Sequence, residues 1–146
     1  MSAGPAGTLY TPQLLGLATR LAAYPLDRTF QFTSSRRSRS CGSTLDLGLD
    51  CDGNGRVVGI GLRVAACAVG QASAAIMAQS LPGRSASDVA AVRQAIEDWL
   101  ADNGPLPDWP DFALLDAARP YSGRHEALLL PWNAACDALS NQQVCG

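Results

Sequence analysis

The run TLDLGLDCDGNGRVVGIGLRV, residues 44–64, holds two strand patterns joined by a turn. Leu45, Leu47 and Leu49 alternate with Asp46, Gly48 and Asp50, the period of a strand with one buried face. Asp52-Gly53-Asn54-Gly55 supplies tight-turn chemistry, and the returning segment Arg56 to Val64 places Val58, Ile60, Leu62 and Val64 on one face. The pattern predicts a β-hairpin offering one aliphatic surface to a core, which a helical layer must cover. Gly53, Gly55, Gly59 and Gly61 fit the turn and a twisted strand.

On the N-terminal side, Leu14, Leu17, Ala18 and Leu21 recur at helical spacing between Leu9 and Tyr24, and Pro25 stops the helix. Phe30 and Phe32 alternate with Gln31 and Thr33, the mark of a short strand before the Ser/Arg stretch. On the C-terminal side, the alanine-rich segment from Ala66 to Gln79 carries Val69, Ala72 and Ile76 near one side, with Leu81 beyond it, and closes at Pro82-Gly83. Ser87-Asp88 opens an amphipathic helix with Val89, Val92, Ile96 and Trp99 on its buried stripe, ending near Asn103-Gly104-Pro105. A short helix from Phe112 to Ala118 and a last one from Ala127 to Leu139 follow, with Pro131 at the first turn or a kink of the latter. The fold class is α+β: a small antiparallel sheet packed against several helices.

The chain's 146 residues fit one domain, 1–146, with 1–8 and 140–146 as loose ends. A chain of this size buries enough surface to need no disulfide framework or structural metal. Its formal net charge of −2, from 11 arginines, no lysine and 13 acids, argues against a nucleic-acid or anionic-membrane partner. No apolar run reaches the roughly 18 residues of a membrane span, and the N-terminus has no signal pattern. Arg36-Arg37 imitates a twin-arginine signal, yet Ser38-Arg39-Ser40-Cys41 follows where an apolar segment belongs, so a cytoplasmic protein is expected.

Several chemistries fail on their own motifs. Asp50-Cys51-Asp52-Gly53-Asn54-Gly55 matches half of a calcium loop, but Gly61 stands where a bidentate glutamate is needed. There is no lysine for a phosphate loop, no G-x-S-x-G, and His125 is the one histidine. The five cysteines, Cys41, Cys51, Cys67, Cys136 and Cys145, form no C-x-x-C pair. Cys41 enters the first hairpin strand and Cys67 leaves the second, so a hairpin brings both to one end of the sheet. Cys67 also opens a helix, where unpaired N–H groups stabilise a thiolate, making it the leading reactive residue on these grounds. Cys51, Cys136 and Cys145 read as packing residues, and Arg36 to Arg39 as a basic loop, solvated or facing an acidic partner patch.

Ser40-Cys41-Gly42-Ser43, Asp50, Gly55-Arg56-Val57 and Ala66-Cys67-Ala68-Val69-Gly70-Gln71-Ala72-Ser73 resemble the IscU/SufU/NifU-type iron-sulfur cluster assembly scaffolds. Arg124 with Leu130-Pro131-Trp132 resembles the closing motif of the SufU branch, and the segment between Pro82 and Tyr121 resembles that branch's insertion. The resemblance implies a site of three cysteines and an aspartate at one end of the sheet. Such a site assembles a transient iron-sulfur cluster, or holds an iron or zinc ion while accepting persulfide sulfur from a cysteine desulfurase for recipient apo-proteins. Here Ser43 stands at the aspartate's position and Ala127 at the third cysteine's, leaving His125 or Glu126 as replacement metal ligands beside Cys41 and Cys67. Adjacent helical residues point about 100° apart, so only one of the two faces the cysteines.

Three readings follow. The first is a variant scaffold, monomer or weak homodimer, binding cluster or metal through Cys41, Cys67 and His125 or Glu126. The second is a metal-free relative acting as a persulfide carrier on Cys67 or as a protein-interaction module. The third is a small thiol-based sulfurtransferase using Cys67 with His125. The first reading is of a protein that is not an enzyme.

Overall fold

The computed structural model describes the backbone of residues 11–145 and the side chains of residues 11–140. The start of the expected first helix at Leu9, the N-terminal segment 1–8 and the Cys145 side chain lie outside the described residues.

Thr11 caps helix α1, Pro12–Leu17, by accepting the Leu14 N–H at 3.1 Å. The expected single helix tightens at Ala18–Ala23 into a 3-10 helix that ends at Tyr24, ahead of Pro25 as anticipated. Three strands follow in the order β1 (Phe32–Arg37), β2 (Thr44–Cys51) and β3 (Val57–Ala65), all antiparallel. β1 runs through the Ser/Arg stretch rather than ending before it, because its backbone pairs with all of β2 from Leu49 to Thr44.

Two aromatic neighbours therefore part company. Phe32 pairs with Leu49 on the core face, whereas Phe30 precedes β1 and lays its ring across Gly48 and Gly61 on the opposite face. Those glycines leave the room that ring occupies, and the Arg28 guanidinium covers it from outside at 3.9 Å.

Leu45, Leu47 and Leu49 are fully buried, each at 1% exposure or less, as the alternation predicted. The returning strand departs from expectation at Val58, which is 60% exposed. A bulge between Asp50 and Cys51 pairs Cys51 with Val57 and Asp50 with Gly59, so Val57 turns inward in place of Val58. Asp52 accepts the Asn54 and Arg56 N–H groups at 2.8 and 3.0 Å, so its carboxylate caps the turn.

Helix α2, Ala68–Ser80, has Cys67 as its N-cap residue. Helix α3, Ala86–Leu100, starts slightly earlier than predicted, on a reciprocal cap in which Ser85 Oγ accepts the Asp88 N–H and Asp88 accepts the Ser85 N–H. The segment Phe112–Ala118 is a 3-10 helix, and a 3-10 turn at Ser122–Arg124 leads into α4, His125–Cys145. α4 begins two residues before Ala127, so Pro131 lies inside it rather than in its first turn.

α4 packs against β1, β2, α2 and α3 and so forms the cover the hairpin required. Its Trp132 is fully buried, edge-on to Trp109 at 4.9 Å, and donates Nε1–H to Ser73 Oγ of α2 at 2.9 Å. Ser73 passes its own proton to the Leu128 carbonyl at 2.6 Å, so the polar groups inside this packing are satisfied.

Candidate functional site

Cys41 sits at the tip of the β1–β2 hairpin. The Ser38 N–H donates to the Ser43 carbonyl at 2.8 Å, extending the ladder by one pair, and Gly42 turns the chain at a φ of +71°. Because Thr44 pairs with Ala65, the segment that carries Cys67 leaves the sheet at this same end. Both cysteines thus stand where the sequence placed them.

The Cys41 thiol is exposed, but its two hydroxyl partners are not: Ser38 and Ser43 are 1% and 4% exposed. Ser38 Oγ accepts the Cys41 N–H at 3.1 Å, which leaves its proton for the sulfur at 2.9 Å. Ser43 Oγ lies 2.9 Å from the sulfur on its other side. The Ser38 hydroxyl, then the Ser43 hydroxyl and backbone, hold this thiol below its ordinary pKa, against the opposing charge of Glu126. Oriented hydroxyls that favour a thiolate also raise its availability as a nucleophile or metal ligand at neutral pH. The sequence favoured Cys67 for this part through its helix N-terminus. Cys67 does cap α2, yet it receives no side-chain hydrogen bond there, and the hydroxyl pair serves Cys41. Ser38 and Ser43 were missed because serine in a polar loop carries no signal until the turn aims it.

Glu126 and His125 both stand in the first turn of α4 and are already engaged. The Glu126 carboxylate accepts the Arg39 N–H at 2.9 Å, the Ser40 N–H at 3.1 Å and the Ser40 hydroxyl at 2.8 Å. The Arg39 backbone, then Ser40, hold it below the usual carboxylate range. It therefore pins the Cys41 loop onto α4. His125 Nε2 lies 2.6 Å from the Arg119 carbonyl, tying α4 to the segment before it.

Ala127 is buried, and a Cβ placed on Gly70 would come within 3.5 Å of its methyl, so it stands over the first turn of α2, the helix that Cys67 caps. Positions 41, 43, 67 and 127 thus lie toward this end of the sheet and carry a thiol, a hydroxyl, a thiol and a methyl. Among the described residues, no group of three or more His, Cys, Asp or Glu is arranged to hold a metal ion. The expected combination of Cys41 and Cys67 with His125 or Glu126 is not formed.

The other two cysteines with described side chains lie apart from this end. Cys51 ends β2 beside the far turn and Cys136 lies on α4, and burial pushes both thiols up. Among the described residues, no helix is long and apolar enough to cross a membrane.

A hairpin-borne thiol and a helix-capping thiol, both toward one end of a three-stranded sheet covered by helices, define a small α+β domain with a cysteine-bearing end. No family model and no curated protein matches the sequence. Solved structures do. A nitrogen-fixing NifU-like protein (N-terminal) from Brucella abortus matches at a TM-score of 0.87 with 28% identity, covering 98% of this chain and 100% of that one. A SufU of Fervidobacterium islandicum AW-1, a proposed iron-sulfur cluster assembly scaffold for the SUF system, matches at a TM-score of 0.77 with 16% identity. That match covers 92% of this chain and 98% of the other. The chain thus shares its fold with a NifU-like protein and a SufU, in line with the resemblance its motifs carry.

Proposed function

We propose that this chain is an iron-sulfur cluster assembly protein of the scaffold type, working at Cys41 and Cys67. The observation that carries this reading is the exposed Cys41 thiol held between two buried serine hydroxyls, in a fold shared with a NifU-like protein. The cargo is a transient iron-sulfur cluster, or an iron or zinc ion, for which thiolates are fitting ligands. Two thiols fall short of a four-ligand set, so the remaining ligands come from a second protein surface or a second copy of the chain. The cysteine desulfurase and the recipient apo-protein are the partners, and the compartment is the cytoplasm. Residues 1–146 act as one domain of this type.

A second reading draws on Ser43, Ala127 and the engaged His125 and Glu126, which among the described residues leave no third ligand beside Cys41 and Cys67. In it the protein carries persulfide without metal. The Cys41 thiolate attacks the sulfane sulfur of the desulfurase persulfide, a new S–S bond forms on Cys41, and the desulfurase thiolate leaves with the electron pair.

Metal and sulfide content with an absorption spectrum, on protein purified without oxygen, tests the first reading beside Cys41→Ser and Cys67→Ser. Iron or zinc present in the parent and lost in both variants is the expected result. Full metal in either variant overturns the shared site. For the second reading, a desulfurase with cysteine labels metal-free protein at Cys41, and an unlabelled Cys41 eliminates it.

A further inference from the structure

The arginines of this chain are almost all committed. Of the 11, seven form ion pairs: Arg20, Arg28, Arg36, Arg56, Arg63, Arg93 and Arg119. Arg84 stacks over Trp109 at 4.3 Å and donates to the Ser80 carbonyl. Among the described residues, Arg37, Arg39 and Arg124 have neither a carboxylate nor a ring, and all three border the Cys41 loop. Arg37 ends β1, Arg39 lies within the loop, and Arg124 immediately precedes α4. Glu126, two residues past Arg124, takes the N–H groups of Arg39 and Ser40 and so ties the loop that carries Arg39 to the start of α4.

The Glu126 carboxylate is held by the Arg39 and Ser40 N–H groups and the Ser40 hydroxyl, its charge acts on Arg39 without a direct ion pair, and the three cations outnumber it. They also stand on both sides of the loop. Ser34 and Arg36 reach α4, at Ala134 and Asp137, so Arg37 emerges on the opposite face of the sheet. There it borders a surface hollow of about 350 Å³ with Ser35, Arg36, Thr44 and Asp46. Arg124 lies on the α4 side. A ligand meeting Arg37, Arg39 and Arg124 together must span the loop, and a small anion cannot. Nucleic acid fits poorly, since the chain as a whole carries −2 and this patch holds three cations.

We infer that Arg37, Arg39 and Arg124 form a docking surface for an acidic patch on a protein partner that approaches the Cys41 loop. This inference rests on the proposed use of Cys41 and names the chemistry of what approaches it. Exposed cations around a reactive group raise the encounter rate with an acidic partner and set its orientation more than they add affinity. The charges around the thiol thereby select which protein reaches it.

The test uses the full chain, metal-free, with a fluorescent glutamate-rich peptide as the acidic probe. Labelling of Cys41 by neutral iodoacetamide is followed by mass spectrometry. The peptide is expected to slow labelling of Cys41 and leave Cys51 unchanged. Arg37→Gln, Arg39→Gln and Arg124→Gln combined weaken peptide binding by roughly 3- to 100-fold, the worth of three exposed ion pairs. Arg56→Gln, at the far turn, leaves binding intact, and circular dichroism checks that every variant is folded. Protection that survives the triple change overturns the inference. So does equal protection by duplex DNA of matched charge, which would mark the patch as a site for any polyanion. A chain that loads neither metal nor persulfide, yet loses peptide binding with its arginines, refutes the proposed function and leaves this surface standing.

Discussion

The chemistry of Cys41 depends on two hydroxyls that a single methylene each positions. Ser43 is buried, so Ser43→Ala removes a donor without opening a route for water to replace it. The thiol then titrates at a higher pH, and the pH profile of its iodoacetamide alkylation moves up while the rate at neutral pH falls. An unmoved profile would show that the Ser43 hydroxyl does not hold the thiolate. Glu126 gives a second pH dependence with the opposite readout. Its folded pKa is depressed by the Arg39 N–H and then by Ser40. The stabilisation it gives the loop is therefore complete above the unfolded value of about 4.3, and is lost as pH falls through the lower folded value. The Arg39 and Ser40 amide resonances should titrate with a midpoint below 4.3, and a midpoint at or above an ordinary glutamate's would remove this clamp.

Among the elements, the sheet has one face built from side chains and one built from their absence. Gly61 faces the Phe30 ring, and a Cβ there would come within 2.6 Å of the ring and 2.9 Å of the Pro25 carbonyl. Gly61→Ala must displace Phe30 or the backbone that pairs with β3, at a cost of about 1–3 kcal/mol typical of overpacking. Urea unfolding measures it, and the same substitution at Gly53, where nothing lies within 4 Å, serves as the control. Alternation made Leu45, Leu47 and Leu49 legible as buried positions, because a period of two survives in any sheet. The inward turn of Val57 was not legible, because a bulge depends on how two strands meet. The Ser85–Asp88 cap of α3 was overlooked in favour of Ser87-Asp88, since several serines there offer the same local chemistry.

In the whole molecule, α4 joins the core to the site. Its buried Trp132 is anchored through Ser73 on α2, and its first turn carries the glutamate that holds the Cys41 loop. Ser73→Ala leaves the buried Trp132 N–H without its acceptor and should destabilise the protein by about 1–3 kcal/mol in chemical denaturation followed by tryptophan fluorescence. A cost near zero would show that the relay is not needed to dock α4 on α2. Periodicity, turn chemistry and helix breaks by themselves determined the hairpin, the positions of the helical segments and the placement of Cys41 and Cys67 toward one end, since each is local or follows from hairpin connectivity. Only the tertiary structure decided that Glu126 and His125 are engaged with backbone groups, that Ala127 is buried against the first turn of α2, and that Cys41 receives the hydroxyls. Those outcomes turn on which way side chains far apart in sequence point once packed. No spacing along the chain encodes a hydrogen bond across 87 residues, such as that from Arg39 to Glu126.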